Sequence, residues 1–165
     1  MEKHSSPAAI SFTGMLNRIT HTFIHVLDQD EALDFYVGKL GLMVHTDADL
    51  GFMRWLTVAA PDQSDFQVGL MLPGPPAYDD ATAEQIRELV AKGGAGGGLI
   101  FATDDCRGTY QKLLAAGVEF TQEPTERFYG IDCALRDPFG NPIRFTQPPD
   151  HPIEIPSAEA LPAEA

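Results

Sequence analysis

The chain has 165 residues, 44% of them hydrophobic, and carries 24 acidic side chains against 11 lysines and arginines, a formal net charge of -13. That size suits one globular core, or two small modules sharing one. The acidic balance argues against a nucleic-acid partner, whose phosphates are held by clustered Lys and Arg. Two cysteines, Cys106 and Cys133, are too few for a disulfide framework, and no run of about 18 apolar residues offers a membrane span. The expectation is a cytoplasmic protein without a membrane partner.

Residues 1–17 mix Ser, Pro, Ala and Gly without period and read as an N-terminal arm. From Ile19 to Val26 the side chains alternate, with His21, Phe23 and His25 on one face and Thr22, Ile24 and Val26 on the other, which is strand periodicity. Asp28 and Glu31 resemble a capping box, Ala32, Leu33, Phe35, Tyr36 and Leu40 recur at helical spacing, and Gly41 can take the left-handed stop. A helix is predicted near Asp30 to Lys39. Apolar runs at 41–46, 52–59 and 66–72, separated by polar turns, predict three antiparallel strands.

A linker over 73–97 follows, with Thr82 and Gln85 placed to cap a short helix near Thr82 to Lys92. Its KGGAGGG run precedes a strand and lacks the GK[ST] ending, so a phosphate loop is not the reading taken. The first pattern then recurs. LIFATDDCRGTYQKLLAAGVEF gives a strand, a helix near Cys106 to Ala116 with Asp105 in the role of Asp28, and Gly117 in the role of Gly41. Laying strand on strand pairs His21 with Gly98 and His25 with Ala102, and the second helix must be one residue shorter. Strands at 117–121, 131–136 and 142–147 complete the copy, the last two joined by the DPFGN turn, and residues 148–165 form an acidic tail.

Two βαβββ modules, 18–72 and 98–147, with FY…LG in the first helix, AAGV after the second and DPFGN before the last strand, resemble the vicinal oxygen chelate superfamily. That superfamily includes glyoxalase I, extradiol dioxygenases and bleomycin-resistance proteins. The resemblance implies an α+β fold in which the modules form a cup-shaped eight-stranded mixed sheet with helices on the outer face. It also implies four metal-ligand positions, a His or Gln on each first strand and a Glu on each last.

His21 matches the first of these and is the only ligand position retained. The others fall on Gly69, Gly98 and Arg144. Gly has no donor and a guanidinium cannot ligate a metal, so no metal and no other cofactor is expected. The expected function is that of a glyoxalase- or bleomycin-resistance-like protein binding a small anionic or polar-aromatic molecule without chemistry. The alternatives are a divalent-metal-dependent lyase, isomerase or dioxygenase with an atypical ligand set that uses Gln67 and His45, and a metal-free enzyme with His21 or His25 as general base.

Six residues are candidates for ligand binding: His21, His25, Trp55, Gln67, Tyr129 and Arg144. Each has a plain structural reading beside it. His21 can be a hydrogen-bonded strand residue, His25 an exposed strand end, Tyr129 a loop aromatic, and Arg144 half of a surface ion pair. Arg54 and Trp55 must point to opposite faces of their strand. If Arg144 replaces a carboxylate ligand, a metal site has become a cationic pocket shared with His21. A homodimer is expected, because modules of this resemblance commonly join through sheets with exposed edges.

Overall fold

The structure, a computed structural model, describes residues 16–157 and 159–160. The expected N-terminal arm therefore lies outside the described residues except for Leu16 and Asn17, as do positions 158 and 161–165 of the tail.

The two repeated modules are present. Module one contains β1 (His21–His25), a helix α1 (Gln29–Leu33) running on as a π-helical stretch (Asp34–Lys39), β2 (Met43–Asp49), β3 (Arg54–Ala60) and β4 (Gln63–Met71). A connecting helix α2 (Asp80–Ala91) leads to module two, with β5 (Leu99–Ala102), α3 (Cys106–Ala115), β6 (Phe120–Arg127), β7 (Gly130–Arg136) and β8 (Pro142–Gln147).

Local chemistry explains the helix ends. Asp28 and Asp105 both cap as expected, Asp28 accepting from the amides of Asp30 and Glu31 and Asp105 from that of Gly108. For α2 the expected cap is displaced. Asp79, not Thr82, is the N-cap, because its carboxylate accepts from the Thr82 amide and so starts the helix two residues earlier than predicted. The π-helical turn accounts for the unequal helices. Module one holds one more residue between its cap and its stop glycine than module two does, and the surplus is absorbed by wide turns such as Leu40 N–H to Phe35 O at 2.9 Å.

The eight strands fall into two four-stranded mixed sheets, ordered β1-β4-β3-β2 and β5-β8-β7-β6, rather than one continuous sheet. The physical reason is that β1 pairs in parallel only with β4, and β5 only with β8, so the two first strands never meet edge to edge. The repeat register is the one predicted. Val26 N–H donates to Met71 O as Thr103 N–H donates to Thr146 O, which makes His25 equivalent to Ala102 and Gly69 equivalent to Arg144.

One core joins both modules. The inner face of sheet one (Ile24, Val26, Leu56, Val58, Leu70) and that of sheet two (Cys133, Leu135, Ile143, Phe145) belong to a single buried cluster with Phe35, Tyr36 and Leu113 from the helices. Module one's helix reaches across onto module two, where the Tyr36 hydroxyl donates to Asp137 at 2.7 Å. Asn141 Nδ2 donates back to the carbonyl of His25 at 2.8 Å. Because side chains alternate along a strand, the remaining face of each sheet looks away from the shared core. No helix among the described residues is long and apolar enough to cross a membrane.

Candidate functional site: the outer face of sheet two

Arg144 lies on the outward-facing side of β8, opposite Ile100 on β5 and Ala134 on β7. Its guanidinium donates through Nη1 to Asp132, whose side chain is 1% exposed while that of Arg144 is 42% exposed. The same carboxylate accepts from the Tyr129 hydroxyl at 3.2 Å and from Thr146 Oγ1 at 3.3 Å. Three donors around one buried acid answer the cost of taking a charge out of water. The Tyr129 hydroxyl has its pKa raised, first by desolvation and then by the Asp132 charge, so it stays a donor at neutral pH.

A cavity of about 920 Å³ opens over this constellation, walled by Ile100, Ala102, Phe128 and Tyr129 and on the far side by Ile153 and Pro156 of the tail. That volume lies within the range of small-molecule sites, and so does its make-up of mostly apolar walls around a few convergent polar groups. Pro148, Ile153, Pro156 and Ala160, from the stretch that the sequence assigned to a flexible tail, thus contribute a wall to the site.

On sheet one the outward face is aromatic. Phe23 lies edge-on to Trp55 at 5.7 Å between ring centroids, and His21 stacks beside Phe23 at 6.3 Å. The Phe23 ring fills the space over Gly69, where a Cβ would come within 2.3 Å of it. So at the position where module two presents Arg144, module one presents a phenyl ring. Gln67 shares this face, its Oε1 accepting from Thr57 at 2.8 Å. Trp55 is on the outward face and Arg54 turns to the helix side, where it pairs with Asp30 at 2.7 Å and Asp47 at 2.8 Å.

Of the six sequence candidates, Arg144 and Tyr129 come together on sheet two, and His21, Trp55 and Gln67 come together on sheet one. His25, at the end of β1, sits beneath Tyr78 with ring centroids 5.5 Å apart, and burial lowers its pKa. Within one chain His21 and Arg144 do not share a space. Nor is the Arg144 pocket the cationic one that the sequence suggested, because Asp132 meets its charge. Asp132 and Phe23 were not singled out from the sequence. The repeat could have found the first, since Asp132 stands three residues before Leu135 as Trp55 does before Val58, and Leu135 pairs with Ile143 as Val58 does with Val68.

The superfamily's metal does not fit these residues. His21 Nδ1 is engaged with Thr20 Oγ1 at 2.9 Å, the Gly69 position is covered by Phe23, and Arg144 holds the place of the final carboxylate. His45, the substitute considered, bonds its neighbour Thr46 at 3.0 Å, and among the described residues no three His, Cys, Asp or Glu side chains converge. The two thiols are buried 3.6 Å apart, and burial raises both pKa values, that of Cys133 to about 12, so neither is an activated nucleophile.

Two βαβββ repeats on one core, each with an open outer sheet face, define the paired-module class to which the glyoxalases and bleomycin-resistance proteins belong. Residues 18–145 match the model of the Glyoxalase/Bleomycin resistance protein/Dioxygenase superfamily, and the chain belongs to that superfamily. It is 34% identical over 130 residues to YurT of Bacillus subtilis (strain 168), covering 79% of this chain and 98% of YurT. The crystal structure of UcmS2 is similar at a TM-score of 0.75 and 42% identity, covering 80% of this chain and 98% of that one. That of TnmS3, an antibiotic binding protein from Streptomyces sp. CB03234, is similar at a TM-score of 0.65 and 27% identity, covering 81% of this chain and 98% of TnmS3.

Proposed function

We propose that this protein binds a small polar-aromatic molecule against the outer face of sheet two, without a metal and without transforming it. The observation that carries the reading is the cavity of about 920 Å³ lined by the Arg144–Asp132 pair, with Arg144 at the place where a metal-dependent relative would hold a carboxylate ligand. Apolar walls take the ring system, and the pair with Tyr129 fixes its polar end. Similarity to an antibiotic binding protein supports this choice over catalysis.

The binding unit is a homodimer. Each chain exposes two outer faces, with Phe23 47% and Ile100 74% exposed, and His21 and Trp55 of the first do not line the cavity on the second. The aromatic face of one protomer, laid over the Arg144 face of its partner, would complete a cup and cover both. A cytoplasmic location belongs to the same proposal, since two free thiols 3.6 Å apart suit a reducing compartment.

The test is a titration with Nile red, an uncharged polycyclic dye with one carbonyl, followed by its fluorescence. Saturable binding is expected for the native chain, unaffected by EDTA and lost in Ala102→Trp, which fills the cavity from β5. Undiminished binding by the folded variant, or loss of binding on chelation, would contradict the proposal.

A further inference from the structure

From the charge arrangement on sheet two we infer that the polar end of the ligand is an uncharged hydrogen-bond acceptor, such as a ketone, quinone or amide carbonyl, and not an anion. This rests on the binding reading above. Arg144 has its only protein partner among the described residues in Asp132, reached through Nη1. A guanidinium carries five N–H donors, so Nε, Nη2 and the rest of the fork remain for a ligand. The donors are available, but the charge is already spent.

A ligand carboxylate approaching Arg144 also meets the Asp132 charge behind it, and repulsion from that acid offsets part of the attraction to the guanidinium. It would also lose its hydration on entering a largely apolar cavity. A carbonyl oxygen loses far less, accepts from the same N–H groups, and is indifferent to the acid behind them. The remaining wall charges do not tip the balance. Glu126 and Arg127 line the cavity with opposite signs, so the four charged side chains there sum to zero. At longer range the chain's net charge of -13 repels anions.

Two further features say acceptor rather than donor. The Asp132 carboxylate is enclosed, 1% exposed, and already receives Arg144, Tyr129 and Thr146. A ligand hydroxyl or amine would find it occupied. At this pair the cavity therefore presents N–H without a free acceptor, and the other acid in its wall, Glu126, is paired with Arg107 at 3.4 Å.

The experiment compares two probes of one shape on the full-length protein, 2-acetylnaphthalene and 2-naphthoate, by ligand-observed NMR titration at neutral pH. The native chain should bind the ketone at least about tenfold more tightly than the carboxylate. In Asp132→Asn the Arg144 charge is released while one of the two acceptor oxygens remains, for Tyr129 or for Thr146, and the order of preference should reverse. Arg144→Gln, which keeps a donor for Asp132, serves if the buried substitution does not fold. It should weaken the ketone by about tenfold or more, the loss of a hydrogen bond from a charged donor, and weaken the carboxylate further still, because Asp132 then repels it without a counter-charge. A native chain that prefers the carboxylate, or an Arg144→Gln chain that binds the ketone as tightly as the native one, overturns this inference and leaves the binding proposal standing. Failure of both probes to bind overturns the two together.

Discussion

Arg144 and Asp132 form one ion pair with two unlike ends, the guanidinium 42% exposed and the carboxylate 1% exposed. The asymmetry predicts unequal costs. Arg144→Ala removes the charged donor from a buried acid and leaves it two hydroxyls, so it should destabilise the chain by about 1.5 to 3 kcal/mol. Asp132→Ala leaves an arginine that already reaches water and should cost less, on the order of 1 kcal/mol. Urea unfolding of the two variants measures the difference; an equal or inverted order would contradict the burial assigned to Asp132.

The link between modules is testable at Tyr36. Its hydroxyl is fully buried and donates to Asp137, which also accepts from the amides of Phe139, Gly140 and Asn141 and so holds the DPFGN turn. Tyr36→Phe removes the one donor that comes from the other module. A loss of about 1.5 to 3 kcal/mol is expected in equilibrium unfolding, the range for hydrogen bonds to charged groups. An unchanged midpoint would mean that the two modules are not held through this contact.

His25 sets a pH dependence. Burial lowers its pKa from 6.5, so below that value the unfolded chain binds a proton that the folded chain resists. Stability attributable to His25 is complete above pH 6.5 and falls as the pH drops below it toward the folded-state pKa. His25→Gln should therefore lose less stability than the native chain between neutral and mildly acidic pH, as read from urea midpoints. An identical acid slope in both would show that His25 is not the group responsible.

The proposed dimer is tested at the exposed aromatic face of sheet one. The native chain should run by light scattering at twice its 17.9 kDa mass, and Phe23→Glu should run as a folded monomer with weakened Nile red binding. A folded Phe23→Glu dimer would place the interface elsewhere.

How much of this was legible beforehand follows from what each feature depends on. The fold was readable because caps and stop glycines are local signals, and Asp28, Gly41, Asp105 and Gly117 repeat at nearly the same spacing. Even the π-helical turn had its trace in the single surplus residue of module one. The Arg144 position followed from register, confirmed by the matching bonds of Val26 and Thr103. What failed was pairing across space. The repeat sets Asp132 at the position of Trp55, but nothing local says that it meets Arg144 two strand positions away on β8. Nor could register tell that Tyr36 of the first helix meets Asp137 of module two. The Asp79 cap was missed for a simpler reason, that YDDAT offers three candidate cap residues, Asp79, Asp80 and Thr82, and only geometry chooses among them.

The most direct test of the binding account is an amide NMR map of the native protein titrated with 2-acetylnaphthalene. The account predicts saturable shifts at Ile100, Ala102, Tyr129, Arg144 and Thr146, joined in the dimer by Phe23 and Trp55, with the inner-face amides of Val58 and Leu135 unmoved. Shifts confined to other surfaces, or none at saturating probe, would contradict it.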